Sequence, residues 1–156
     1  MDRADLQEII DWPTVLKQDR CAGGHRAVMS NIFSETDAKV IAWYQDHIYE
    51  DDGQLAIAYQ FYKDGTICLI TDYFGSCSGC DVWEGADNEE AESQIRTLVA
   101  NSRVFKCIRA SLDFLNNDIG NKPENFGLRV ARNLIDTLKN IDDITFDEPE
   151  GRKISL

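Results

Sequence analysis

The chain is poor in positive charge. Lysine and arginine number 16 against 28 aspartates and glutamates, which leaves a net charge of −12. Binding to the phosphate backbone of DNA or RNA needs a basic footprint, so nucleic acid is not expected as a partner. Neither is an anionic membrane surface. Long apolar runs are missing as well, and no stretch approaches the ~18 apolar residues of a membrane-spanning helix. The N-terminal stretch MDRADLQEII has neither the basic nor the apolar region of a signal peptide. Histidine is scarce: His25 and His47 lie in separate segments. There is no G-x-S-x-G and no recognised Cys–His signature, so the balance leans away from an enzyme.

Cysteine is present in an odd number, five, at Cys21, Cys68, Cys77, Cys80 and Cys107. They are scattered, and Cys68 falls inside an apolar strand pattern. This is not a disulfide framework. Together with the N-terminal pattern, it leads us to expect a reducing, cytoplasmic setting. An apolar fraction of 43% across 156 residues is enough for one globular domain with a real core. We expect a single domain over 1–156, with 142–156 as a loosely held tail.

The most structured stretch is Leu55–Glu84. Leu55–Tyr62 alternates Leu55, Ile57, Tyr59 and Phe61 with Ala56, Ala58, Gln60 and Tyr62, a strand pattern rich in aromatic and branched residues. Asp64-Gly65 suits a type I′ turn that would double the chain back. Thr66–Phe74 is apolar on both parities through Ile67, Cys68, Leu69 and Ile70, which predicts burial on both faces and a central place in a sheet.

The second strand runs into a Gly/Ser/Cys loop holding Cys77 and Cys80 at C-x-x-C spacing. That spacing lets both sulfurs reach one metal ion, or each other. A closed zinc site needs about four ligands. Cys21 and His25, in CAGGH, would complete a Cys₃His set. The alternatives are a redox-active pair and a tight structural loop whose thiols are inert. Asp81 and the acids after it oppose a low thiol pKa. The segment ITDYFGSCSGC superficially resembles the approach to the thioredoxin active site. The resemblance stops there: the strand arrives through an antiparallel hairpin, Gly85 weakens a following helix, and no proline is placed to face the dithiol. A zinc deaminase would need His-x-Glu upstream and a proline before the first cysteine, and here Ser76 stands in that place.

Asp81–Glu92 holds six acids and no base. Its second half begins a helix through Ile95, Leu98 and Val99, where acids in the first turn complement the helix dipole. The functional reading makes Asp81, Glu84, Asp87, Glu89 and Glu90 a recognition surface for a basic protein partner. Arg96, Arg103, Lys106 and Arg109 form the clearest basic cluster. It either balances the acidic run or holds a phosphate-bearing ligand.

The remaining segments frame this centre. Leu6, Ile9 and Ile10 share a helical face, and Asp11 can cap a second short helix with Pro13 in its first turn. For Lys39–Gln45, Val40, Ile41, Trp43 and Tyr44 favour a strand while Ser34, Thr36 and Asp37 favour a helix cap; the reading leans to the strand. Val104–Ile108 is open between helix and strand. Asn116–Lys122 reads as a polar loop, and Pro123 opens a helix carrying Phe126, Val130, Leu134 and Leu138. The expected fold is α+β, with a small antiparallel sheet of two or three strands, the hairpin 55–74 at its centre, packed against flanking helices. The expected function is that of a small acidic binding or regulatory protein acting through protein–protein contact. A thiol or zinc protein centred on Cys77 and Cys80 is the alternative.

Overall fold

The structure, a computed structural model, describes residues 1–20, 24–47, 53–74, 83, 85–120, 136–137, 139–140, 146–147 and 153–154. Its centre is a four-stranded antiparallel meander in the order β1-β2-β3-β4, with β1 at Ala38–His47, β2 at Gly53–Phe61, β3 at Ile67–Phe74 and β4 at Arg103–Phe105. The α+β class is therefore as expected, but the sheet has four strands rather than two or three. The added strand is β4. Its three residues are too few to show a period in the sequence, and they are held by pairing Ile67 with Phe105, Cys68 with Val104 and Leu69 with Arg103.

Residues 38–47 are a strand, as the branched and aromatic residues favoured. The cap-forming residues before them build a turn instead: Asp37 and Ala38 both donate to the Ser34 carbonyl, each at 3.0 Å. The hairpin pairs Ile57 with Ile70 and Tyr59 with Cys68. Its turn differs from a two-residue type I′ turn. Phe61 N–H donates to the Thr66 carbonyl and Gly65 N–H to the Phe61 carbonyl, each at 2.9 Å, so four residues form the loop. Gly65 takes φ 73°, where a side chain would be strained. Asp64 Oδ1 accepts from Thr66 N–H at 3.0 Å, fixing the turn from its side chain.

Helices flank both faces of this sheet. Helix α1 (Arg3–Glu8) opens with a capping box between Asp2 and Asp5. Helix α2 (Trp12–Val15) is capped by Asp11 with Pro13 in its first turn. Helix α3 (His25–Ser30) follows Gly24, where an added Cβ would lie 1.9 Å from the Asp19 carbonyl oxygen, so only glycine fits. Helix α4 spans Asn88–Asn101, and Ser102 ends it. Helix α5 spans Ile108–Gly120 and so continues through residues read as the start of a polar loop. Asn116 Nδ2 donates back to the Leu112 carbonyl at 2.9 Å, which keeps that side chain compatible with the helix. Most of the helix expected from Pro123 lies outside the described residues; Asp136, Thr137 and Lys139 are helical. Phe146–Asp147 (β5) and Lys153–Ile154 (β6) pair as a separate two-stranded ladder. Among the described residues no helix is long and apolar enough to cross a membrane.

The two sheet faces are packed differently. On one, Leu55, Ile57, Tyr59 and Phe61 of β2 meet Leu6, Met29, Ile95, Val99 and the wholly buried Trp83. Phe33 stacks edge-on against Tyr59 and Phe61, with ring centroids 5.0 and 4.9 Å away. On the other, the small residues Ala42, Ala56 and Ala58 lie with Ile67 and Leu69 under Ile108 and Leu115 of α5. Gln60 has the same parity as these alanines. It is fully buried, and among the described residues neither amide atom has a hydrogen-bond partner. Such a group costs roughly 1–3 kcal/mol relative to a satisfied or apolar one.

Candidate functional site

Of the residues expected to hold zinc, Cys77, Cys80 and Cys21 lie outside the described residues, as do Asp81 and Glu84 of the acidic run. β3 ends at Phe74, and Trp83 is wholly buried with its indole N–H donating to Asp72 Oδ2 at 2.6 Å. The strand that leads into the loop is antiparallel to both its neighbours, the arrangement on which thioredoxin membership was set aside. His25 is 7% exposed in the first turn of α3. Among the described residues, no group of three or more His, Cys, Asp or Glu side chains could hold a metal. Cys68 is buried in the sheet, and burial pushes its thiol up to about 12, so it stays protonated and unreactive.

The described part of the acidic run is used locally. Asp87 is the N-cap of α4, its Oδ1 accepting from Glu90 N–H at 2.8 Å, while Glu90 Oε2 accepts from Asp87 N–H at 3.0 Å. This capping box satisfies two donors that the helix end would otherwise leave open. Glu89 is exposed in the same turn. Two of the four residues of the basic cluster are similarly engaged. Arg96 pairs with Glu92 at 2.8 Å and lies 4.7 Å over the Trp12 ring, and Arg103 lies 4.6 Å over Phe114.

A different surface stands out. Among the described residues, the large apolar side chains that stay exposed are Val40 (38%), Trp43 (38%), Tyr62 (42%) and Tyr73 (50%). The first three line one groove of about 510 Å³ between β1, α3 and the β2–β3 turn. Phe33 and Tyr59 line it from the core, the Tyr59 hydroxyl donating to the Met29 carbonyl of α3. Burial raises the Tyr59 phenol well above its ordinary range, so it remains a neutral donor. Arg26 of α3 stacks over the Trp43 ring at 3.6 Å, and Lys39 and Glu35 supply the other charges.

The groove follows from the strand order. β1 pairs with β2 and, among the described strands, stands at the edge of the sheet. Trp43 pairs with Ile57 and Val40 with Tyr59, which places both on the face that carries Leu6, Met29 and Ile95, though outside its buried cluster. A bulge between Val40 and Ala42 shifts the register there. The sequence carries one sign of this surface. Val40 to Tyr44 is apolar on both parities, more than an edge strand with one core face requires. The groove can hold two or three side chains of a ligand, and it offers aromatic faces, one stacked guanidinium and an open strand edge. Comparison with known proteins identifies no relative: no family, curated protein or solved structure matches the chain.

Proposed function

We propose that this is a binding or regulatory protein that acts through contact with another protein, and that the contact is the groove beside β1. The observation that carries the reading is the convergence of Val40, Trp43 and Tyr62 in one groove. Exposed apolar residues scattered singly need no explanation, but a contiguous set rimmed by charge is what interaction surfaces share. Tryptophan, tyrosine and arginine are also the residue types that dominate binding energy at interfaces. The net charge of −12 favours a partner whose overall surface is basic, and such a complex weakens as salt screens the attraction.

The test is a quantitative capture comparison from cells that contain the partner. Trp43→Ala and Tyr62→Ala should each lose the proteins retained by the unaltered chain, while Glu89→Lys should retain them. Equal retention by all three variants, or loss only with Glu89→Lys, would reject the groove and return the acidic turn of α4 to first place.

A second reading is a zinc or thiol protein centred on Cys77 and Cys80. The donor chemistry favours it, since Cys21, His25, Cys77 and Cys80 are the residue types of a Cys₃His zinc set. Zinc bound at one equivalent under reducing conditions, and lost with Cys77→Ser and with His25→Ala, would support it. Metal-free protein with unchanged stability in both variants would remove it.

A further inference from the structure

We propose that the groove beside β1 receives an extended segment of the partner's chain, added to the β1 edge as a further strand, with one acidic side chain meeting Arg26 and an apolar side chain between Trp43 and Tyr62. The proposal rests on the groove being the contact site, and it specifies what that site takes.

Three features select this occupant. The first is the strand edge. Among the described strands, β1 is hydrogen-bonded to β2 alone, and it runs for ten residues. Alternate N–H and C=O groups of an edge strand point away from its sheet, and an extended peptide can pair with them. The second is the row of side chains beside that edge. Val40, Trp43 and Tyr62 offer apolar contact at positions that the alternating side chains of an added strand can reach. The third is charge. In a chain with 28 acids, Arg26 is exposed and makes no ion pair among the described residues. Its guanidinium carbon lies over the Trp43 ring, 3.6 Å from the centroid, and that contact restrains the guanidinium. A guanidinium held in this way is suited to two parallel hydrogen bonds from one carboxylate.

A second copy of this chain fits less well. Two molecules of charge −12 repel each other. The bulge between Val40 and Ala42 and the charge of Lys39 disfavour strand pairing at that end of β1, whichever chain supplies the added strand. Ala42–His47, beyond the bulge, keeps a regular register with β2 and is the run an added strand would use.

The test starts by panning a random dodecapeptide phage library against the full chain. The preferred peptide and its Asp→Asn or Glu→Gln counterpart are then titrated by fluorescence polarisation. Wild type, Trp43→Ala, Arg26→Ala and Arg26→Lys are compared, with thermal melts to confirm that each is folded. The expected result is a selected motif that alternates apolar residues around one acid. Trp43→Ala should weaken it at least tenfold. Arg26→Ala should weaken the acidic peptide about tenfold and the neutralised peptide little, with Arg26→Lys in between. Amide hydrogen exchange within residues 42–47 should slow when the peptide is bound. Failure to enrich any peptide, enrichment of basic peptides, or equal effects of Arg26→Ala on both peptides would overturn the proposal. So would a peptide-free dimer that Trp43→Ala dissolves, since a second copy would then occupy the groove. Capture of a partner that depends on Trp43, with no peptide selected, would sink the added strand and leave the groove as the contact site.

Discussion

The first turn of α4 and the groove beside β1 are both candidate contact surfaces, and they differ in what their residues do for the fold. In the α4 turn, Asp87 and Glu90 are bound to each other's backbone N–H groups, at 2.8 and 3.0 Å. Their charge is conspicuous in the sequence, and capping accounts for it. In the groove, Val40, Trp43 and Tyr62 stay more than a third exposed although burial would stabilise each. A run of like charge can therefore be a local structural device. Apolar residues left together at an open edge lack such an account, and they are the stronger sign of a partner.

Substitutions distinguish the two surfaces. The largest effects belong on the core side of the groove. Tyr59→Phe leaves the Met29 carbonyl without its hydroxyl donor and should cost about 1–3 kcal/mol in urea denaturation. It should also weaken partner binding through the displaced α3. Gln60→Met lies on the opposite face of β2 and is the control. Removing a buried, unpartnered amide should raise stability by about 1–3 kcal/mol and leave binding unchanged. Asp87→Ala removes the N-cap of α4 and should cost about 1 kcal/mol, again with binding unchanged. The smallest effect is expected of Glu89→Gln, within about 0.5 kcal/mol in stability and no measurable change in affinity. If Asp87→Ala or Glu89→Gln reduced binding more than the groove substitutions, the contrast drawn here would be reversed.

Much of the fold was legible in the sequence because its signals are local. Asp11 and Pro13 mark α2, and the parity of Leu55, Ile57, Tyr59 and Phe61 marks β2 and its helix-covered face. Apolar residues on both parities marked β3 as an inner strand, which β4 completes. The misses share a cause, which is pairing or packing over long separations. Val104-Phe105 becomes a strand only because Cys68 and Ile67 lie opposite. The Asp64-Gly65 turn widens because Phe61 still pairs with Thr66. Strand order, which puts β1 at an edge among the described strands and leaves Trp43 exposed, arises from pairing over long separations, so the apolar run Val40–Tyr44 did not by itself reveal the groove. Gln60 shows the same limit: its parity was readable, but its complete burial was not.

Site-specific photo-crosslinking tests the proposed contact between the β1 groove and a partner. Benzoylphenylalanine placed at position 62, in the groove, and separately at position 89, in the α4 turn, would be irradiated in cells that contain the partner. The account predicts a discrete adduct from position 62, abolished by adding Trp43→Ala, and none from position 89. An adduct from position 89 alone, or one from position 62 that persists with Trp43→Ala, would contradict it.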